Sequence, residues 1–289
     1  MGGGNWTKNS FVKYSASVGR SVNLNGSVIG NYSAQEMFKM RNIASELNPY
    51  GVVRECCDSS EHPKTKPVIL ALDVTGSMGG ASVEIAKKLN IIMTELYEKV
   101  KDVEFLIMGI GDLACDNAPI QASQFESDIR IAEQLDKIYF EGGGGGNGYE
   151  SYTAAWYFGL QHTKLDCWGR GEKGIIITIG DEPLNPYLPK SSLGRVMGNK
   201  LQADIETKDL YVPTTEKFNI YHLAVDDRET SYRRYSNFIK SSFGKYLDDE
   251  HLRVVNMDNL SATIISIITS STDNHSVSEI VNDKGEISW

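Results

Sequence analysis

Short apolar runs alternate along this chain with stretches in which apolar residues recur every three or four positions, and the alternation is regular from residue 66 to about residue 272. The run over 68–72 reads as a buried strand. Ile85, Leu89, Ile92, Met93 and Leu96 then share one face of a helix over 81–100. A strand over 103–110, a weak short strand over 120–123 and a helix over 128–139 follow. A glycine run at 142–148 leads into a helix over 150–162, and a strand over 174–179 leads into a long crossover with a helix over 191–201. The pattern closes with strand 218–225, helix 232–243, strand 252–255 and helix 260–270.

Strands that are apolar throughout and separated by helices need a parallel sheet covered on both faces. The expected fold is therefore α/β, a doubly wound and mostly parallel sheet. Strands 103–110 and 120–123 are joined too closely for a crossover, so one short antiparallel edge strand is expected. Residues 1–65 read as an N-terminal extension with one helix. Ser33 and Glu36 form a capping box, Met37, Met40, Ile43, Ala44 and Leu47 fall at helical spacing, and Asn48-Pro49 ends the run. Trp6, Phe11 and Tyr14 either pack on the chain's own domain or form an added docking strand. Residues 273–289 read as a polar tail after a domain spanning 66–272.

At 289 residues and 40% hydrophobic, the chain can bury the core of one large domain. A net charge of −9 argues against nucleic acid or an anionic membrane as the main partner. No apolar run approaches the roughly 18 residues of a bilayer span. The N-terminus lacks a signal-peptide apolar stretch, and Trp6 stands where a myristoylation signal wants Ser or Thr, so a cytoplasmic location is expected. Cys56, Cys57, Cys115 and Cys167 form no C-x-x-C pair. Adjacent Cys56-Cys57 with His62 does not suit one tetrahedral zinc, which leaves free thiols in a reducing compartment.

The candidate chemistry lies at the ends of the buried strands. The first apolar strand ends on Asp73-Val74-Thr75-Gly76-Ser77-Met78, a carboxylate followed by two hydroxyls at alternate positions. The strand over 174–179 ends on Gly180-Asp181. In an open α/β sheet both points fall at the carboxyl edge, where ligands bind. An isolated Asp there reads as a helix cap or loop carboxylate. Two of them, with Thr75 and Ser77 beside one, make an all-oxygen donor set of the kind that hard divalent cations take. Asp112 and Asp116 read as loop carboxylates near this rim, and His162 and His222 as core or surface residues. Spacing suggests no Ser-His-Asp or Cys-His arrangement. The glycine run lacks the G-x-x-x-x-G-K-[ST] pattern, and Glu150 beside it would repel a phosphate, so no nucleotide is expected.

The D-x-T-x-S-M motif, the later glycine-rich loop and the Asp after the strand over 174–179 resemble a von Willebrand factor A domain. The resemblance covers residues 66–272, and the GGGGGNGYES loop is more similar to intracellular prokaryotic or phage members. It implies a metal-ion-dependent adhesion site holding Mg²⁺ or Mn²⁺ through Asp73, Thr75, Ser77 and Asp181. Where the family has a Thr after a Gly pair, this chain has Gly146 and Asn147, so Glu150 or Ser151 would supply the missing oxygen. The resemblance further implies a binding module and not an enzyme. Its partner would be another protein supplying an Asp or Glu, either a MoxR-type AAA+ ATPase or a multi-protein assembly. The final helix, rich in isoleucine over 264–268, would be coupled to the metal site. A rival resemblance is to haloacid-dehalogenase-like phosphotransferases, with Asp73 as nucleophile. Against it, the Asp181 segment lacks a second aspartate, and Thr75 stands where such phosphatases want an acid–base Asp.

Overall fold

The computed structural model of the chain describes residues 4–142, 148–226 and 235–282. The extension opens with a helix that the sequence pattern does not announce, α1 (Lys8–Ser17), capped by Thr7, whose side chain accepts from the Ser10 amide. A hairpin of β1 (Ser21–Val22) and β2 (Val28–Ile29) follows, then α2 (Ala34–Met37). The expected capping box of Ser33 and Glu36 is present, but the helix ends at Phe38 and not at Asn48. Phe38 turns extended, is buried, and stacks on Phe140 with ring centres 5.9 Å apart. Seating that ring outweighs continuing the helix, and only a 3₁₀ turn at Ser45–Leu47 remains of the rest.

Beyond β3 (Arg54–Cys56) the strand–helix alternation runs through β4 (Lys66–Asp73), α3 (Gly79–Lys99), β5 (Val103–Ile110), β6 (Ile120–Ala122), α4 (Arg130–Leu135), α5 (Thr153–Gln161), β7 (Thr163–Leu165) and β8 (Gly174–Gly180). It continues with β9 (Tyr187–Leu188), α6 (Lys190–Met197), β10 (Ile205–Glu206), α7 (Thr207–Lys217), β11 (Phe218–Val225), α8 (Tyr235–Phe243), β12 (Leu252–Val255) and α9 (Leu260–Asn282). Six strands form the central sheet in the order β12-β11-β8-β4-β5-β6. Every pairing in it is parallel except β5 with β6, the expected antiparallel edge. The architecture is thus a doubly wound, mostly parallel sheet with helices on both faces.

Alternation along the strands sorts the core into two layers. Val68, Leu70 and Leu72 face α3, α9 and the N-terminal extension. Ile69 and Ala71 face the layer built from α5, α6, α7 and α8. Several boundaries depart from the sequence reading. α4 is shorter than 128–139, and α5 starts at Thr153, so Glu150 and Ser151 precede it. Glu150 instead pairs as an isolated parallel bridge with Leu184, which lifts that stretch out of the helix. α7 went unread because Pro213 interrupts its interior. α9 continues past 270 to Asn282, so the start of the expected tail is helical. Residues 232–234 of the expected helix, and 143–147 of the glycine run, lie outside the described residues. No helix among the described residues is long and apolar enough to cross a membrane.

The extension packs on its own domain. Trp6 and Phe11 are buried in the layer shared with α3, with ring centres 5.5 Å apart. The Trp6 indole nitrogen donates to Asn90 Oδ1 at 3.1 Å, giving a buried amide on α3 its partner. Trp6→Ala removes a large buried ring and that donor together, so urea denaturation should show a loss of about 3–5 kcal/mol. A loss below about 1 kcal/mol would mean that the segment docks only loosely.

Candidate metal centre

β4 lies between β5 and β8, paired in parallel with both, so its last residue is delivered to the carboxyl edge with neighbours on either side. That residue, Asp73, is fully buried. Its Oδ1 accepts from the Thr75 amide at 2.9 Å and the Thr75 hydroxyl at 2.6 Å, which bends the chain sharply out of the strand. Its backbone carbonyl accepts from Ser82 Oγ at 3.2 Å, tying the first turn of α3 to the strand end. A 3₁₀ turn, Gly76–Met78, then leaves Ser77 exposed, and its hydroxyl donates to Asp181 Oδ1 at 2.9 Å. The first and third expected loops therefore meet.

The second loop arrives through Glu150. This side chain is buried, and its Oε2 has no hydrogen-bond partner. Ser151, the alternative donor, is otherwise engaged. Its hydroxyl accepts from the Leu113 amide at 3.0 Å and its amide donates to the Gly111 carbonyl, so it ties this loop to the one after β5. Asn185 clasps the second loop to the third, accepting from the Thr153 amide and donating to the Thr153 hydroxyl at 2.6 Å. Glu150 is thus the free oxygen donor of this segment, while Gly146 and Asn147 lie outside the described residues.

Sequence reasoning missed Tyr152 and Glu182. The Tyr152 hydroxyl donates to Asp73 Oδ2 at 2.7 Å and accepts from the Glu182 amide at 3.3 Å. Its ring lies edge-on to His222 and tilted against Phe243, while His222 and Phe243 stack at 3.8 Å. Burial pushes His222 down to about 3, so it packs as a neutral aromatic. The close approach of the Tyr152 ring to β8 needs glycine at 180, where a Cβ would collide with the hydroxyl and ring. No motif announces a tyrosine at this spacing. Glu182 was adjacent to a chosen residue, and its Oε2 is likewise buried without a partner.

Burial and mutual repulsion raise several carboxyl groups at this rim together. Burial first, then Asp181, pushes Asp73 up to about 7. Burial and then Asp181 and Asp73 bring Glu182 to about 7, and burial with Asp73, Asp116 and Asp112 brings Glu150 to about 10. Asp181 and Asp116 are raised as well, chiefly by burial. Carboxyl groups crowded out of water in this way need protons or a cation. Among the described residues no three His, Cys, Asp or Glu side chains form a ready-made cage. The donors are instead mixed, carboxylates and hydroxyls together with orphaned carboxylate oxygens. That set suits a hard cation which keeps some of its own waters.

One arrangement that spacing did not suggest is present elsewhere. Ser127 Oγ lies 3.2 Å from His62 Nε2, and His62 Nδ1 lies 3.3 Å from Asp102 Oδ1. Ser127 is fully buried and its hydroxyl donates to the Gly4 carbonyl at 2.7 Å, so the trio fastens the N-terminal segment and is not poised as a nucleophile. All four cysteines are free thiols. His162 is a buried residue fixed to the Val52 carbonyl and Asn199.

No family model and no curated protein matches the chain. Among solved structures, it is similar to the pilus adhesin SpaC from Lactobacillus rhamnosus GG, at a TM-score of 0.50 and 11% identity over 78% of this chain. The chain spans about a third of that adhesin, 32% of its length. Looser matches are the vWF domain of the type V pili tip protein Mfa5 from Porphyromonas gingivalis and proximal thread matrix protein 1 from the mussel byssus. The first has a TM-score of 0.45 and 11% identity over 78% of this chain and 98% of Mfa5's domain. The second has 0.44 and 11% over 75% and 49%. At those scores the two looser matches bear on neither fold nor function. The likeness to SpaC is one of fold alone.

Proposed function

We propose that this chain is a metal-dependent protein-interaction module of the von Willebrand factor A type. Mg²⁺ or Mn²⁺ would be held by Asp73, Thr75, Ser77 and Asp181, with Glu150 as an added carboxylate. The observation that carries the reading is the convergence of all three loops on one buried rim, with carboxylate oxygens of Glu150 and Glu182 left unpartnered there. A bound cation supplies an electrophile that accepts a carboxylate, and a partner protein's Asp or Glu fits it. Ser77 is the exposed member of the set and the natural point of access. The partner would be a protein of that chemistry, a MoxR-type AAA+ ATPase or a component of a larger assembly in the cytoplasm.

The geometry favours binding over phosphotransfer to Asp73. A nucleophilic carboxylate must present a lone pair to an incoming phosphorus. Here Asp73 is fully buried with Thr75 on Oδ1 and Tyr152 on Oδ2, which bars the in-line approach of a bulky phosphoryl group, whereas the lone pair left on Oδ2 can serve a small cation or its water.

Calorimetric titration of metal-stripped protein with Mg²⁺ should show saturable binding that Asp73→Ala abolishes and Glu150→Ala only weakens. Absence of binding, or indifference to Asp73→Ala, removes the metal reading. Mg²⁺-dependent turnover of a generic phosphomonoester that requires Asp73, or a trapped aspartyl-fluoroberyllate adduct, would replace it with the phosphotransferase.

A pH dependence follows from the same rim. Asp73 and Glu182 at about 7 and Glu150 at about 10 all lie above the roughly 4 of an unfolded chain. The folded state therefore binds these protons more tightly than the unfolded state. Their stabilising effect is fully present below about pH 4 and is lost as the pH rises through the folded values. The metal-free protein should melt at progressively lower temperature between pH 5 and 8 in scanning calorimetry. Mg²⁺ should restore the melting temperature at pH 8, and Asp73→Asn should flatten the slope. A metal-free melting temperature that rises over this interval would contradict the assignment.

A further inference from the structure

A second feature lies at the opposite edge of the sheet, where β4 and β8 begin. A cavity of about 100 Å³ opens there. Its inner surface is formed by Pro67, Cys167 and Ile175, all buried. Ser271 and Thr272 of α9 close one side, and Lys64, Lys66 and Lys173 stand around it. β8 separates it from Asp181 by seven residues, roughly 20 Å of strand.

The polar groups around this cavity determine what it can hold. Among the described residues the one carboxylate in the lining, Glu172, is bound by Arg170 at 3.0 Å, and Asp58 is also held by Arg170. Among the described residues neither Lys66 nor Lys173 has a carboxylate partner. Lys173 Nζ donates to the Thr215 carbonyl at 2.6 Å, which leaves ammonium protons to give. Thr65 spends its amide and hydroxyl on Asp58, and Thr272 spends its hydroxyl on helix carbonyls. Ser271 and Tyr221 share one hydrogen bond at 2.9 Å, so one hydroxyl proton of the pair remains free. Burial pushes the Cys167 thiol up to about 12, so it presents a neutral, inert surface. Among the described residues the cavity therefore has an apolar floor, spare donors and cations, and no spare anion, in a chain whose net charge is −9.

We propose that this cavity binds a small organic anion, with an apolar body on Pro67, Cys167 and Ile175 and a carboxylate or phosphate head on Lys66 and Lys173. Pockets of this kind are mostly apolar with a few placed polar groups that fix orientation. An ammonium–anion contact at their mouth selects for charge.

The test follows the Ile175 methyl signal by NMR during titration of the full chain in EDTA, which keeps the metal rim out of the readout. Benzoate, phenyl phosphate, inorganic phosphate and benzyl alcohol serve as probes. Benzoate or phenyl phosphate should shift Ile175 saturably, and the tighter of the two identifies the head group. Benzyl alcohol should not shift it, and raised salt should weaken the binding. The double variant Lys66→Gln/Lys173→Gln should weaken binding about tenfold, as expected for two charge contacts at a solvent-open mouth, with its near-ultraviolet circular dichroism unchanged. No saturable shift, equal binding of benzyl alcohol, inorganic phosphate binding as tightly as phenyl phosphate, or a folded double variant of unchanged affinity would each overturn the proposal.

Discussion

A carboxylate withdrawn from water at the end of a buried strand must be satisfied, and the carboxyl edge of this sheet is organised around that requirement. Asp73 cannot retreat to solvent because β5 and β8 flank its strand on both sides. Its two oxygens are met by Thr75 from its own turn and Tyr152 from the approach to α5. Each of those contacts fixes a loop. The Thr75 bonds set the turn that presents Ser77, and the Tyr152 hydroxyl receives the Glu182 amide and so holds the loop after β8. The adjoining acids are then crowded together, which is a costly arrangement unless positive charge is at hand.

Much of this was legible from residue pattern because it follows from periodicity. Fully apolar strands ending on Asp73 and Gly180 require a two-sided parallel sheet, and the carboxyl ends of its strands converge. Asp73, Thr75, Ser77 and Asp181 could be chosen on those grounds, and the fold brings them to one rim. Tyr152 could not be chosen, since its role depends on a ring packing against His222 and Phe243 from a distant strand and helix. α7 was hidden by Pro213, and the early end of α2 reflects the burial of Phe38, a tertiary effect that local propensity does not register. Glu150 was expected at the start of a helix. Its bridge to Leu184 places it beside the third loop instead, where the charge of Asp73 helps to hold it protonated.

The extension illustrates a different limit. Glycine-, asparagine- and serine-rich sequence carries few core signals, yet Trp6 and Phe11 supply part of the layer over α3. Gly4 is fixed at both ends, its amide on Glu61 and its carbonyl on Ser127. A boundary drawn at residue 65 from composition therefore cuts through a continuous core.

Gly180 constrains how this rim can vary. Its missing side chain is the space into which the Tyr152 ring fits, so the two positions form one unit of substitution. Any larger residue at 180 requires a smaller one at 152, and Phe at 152 gives no relief because the ring carbons as well as the hydroxyl occupy that space. A smaller residue at 152 would in turn deprive Asp73 of its donor. The pair is thus locked by sterics on one side and by hydrogen bonding on the other. Sequence drift around this rim has to pass elsewhere, through positions that touch neither the Tyr152 ring nor Asp73.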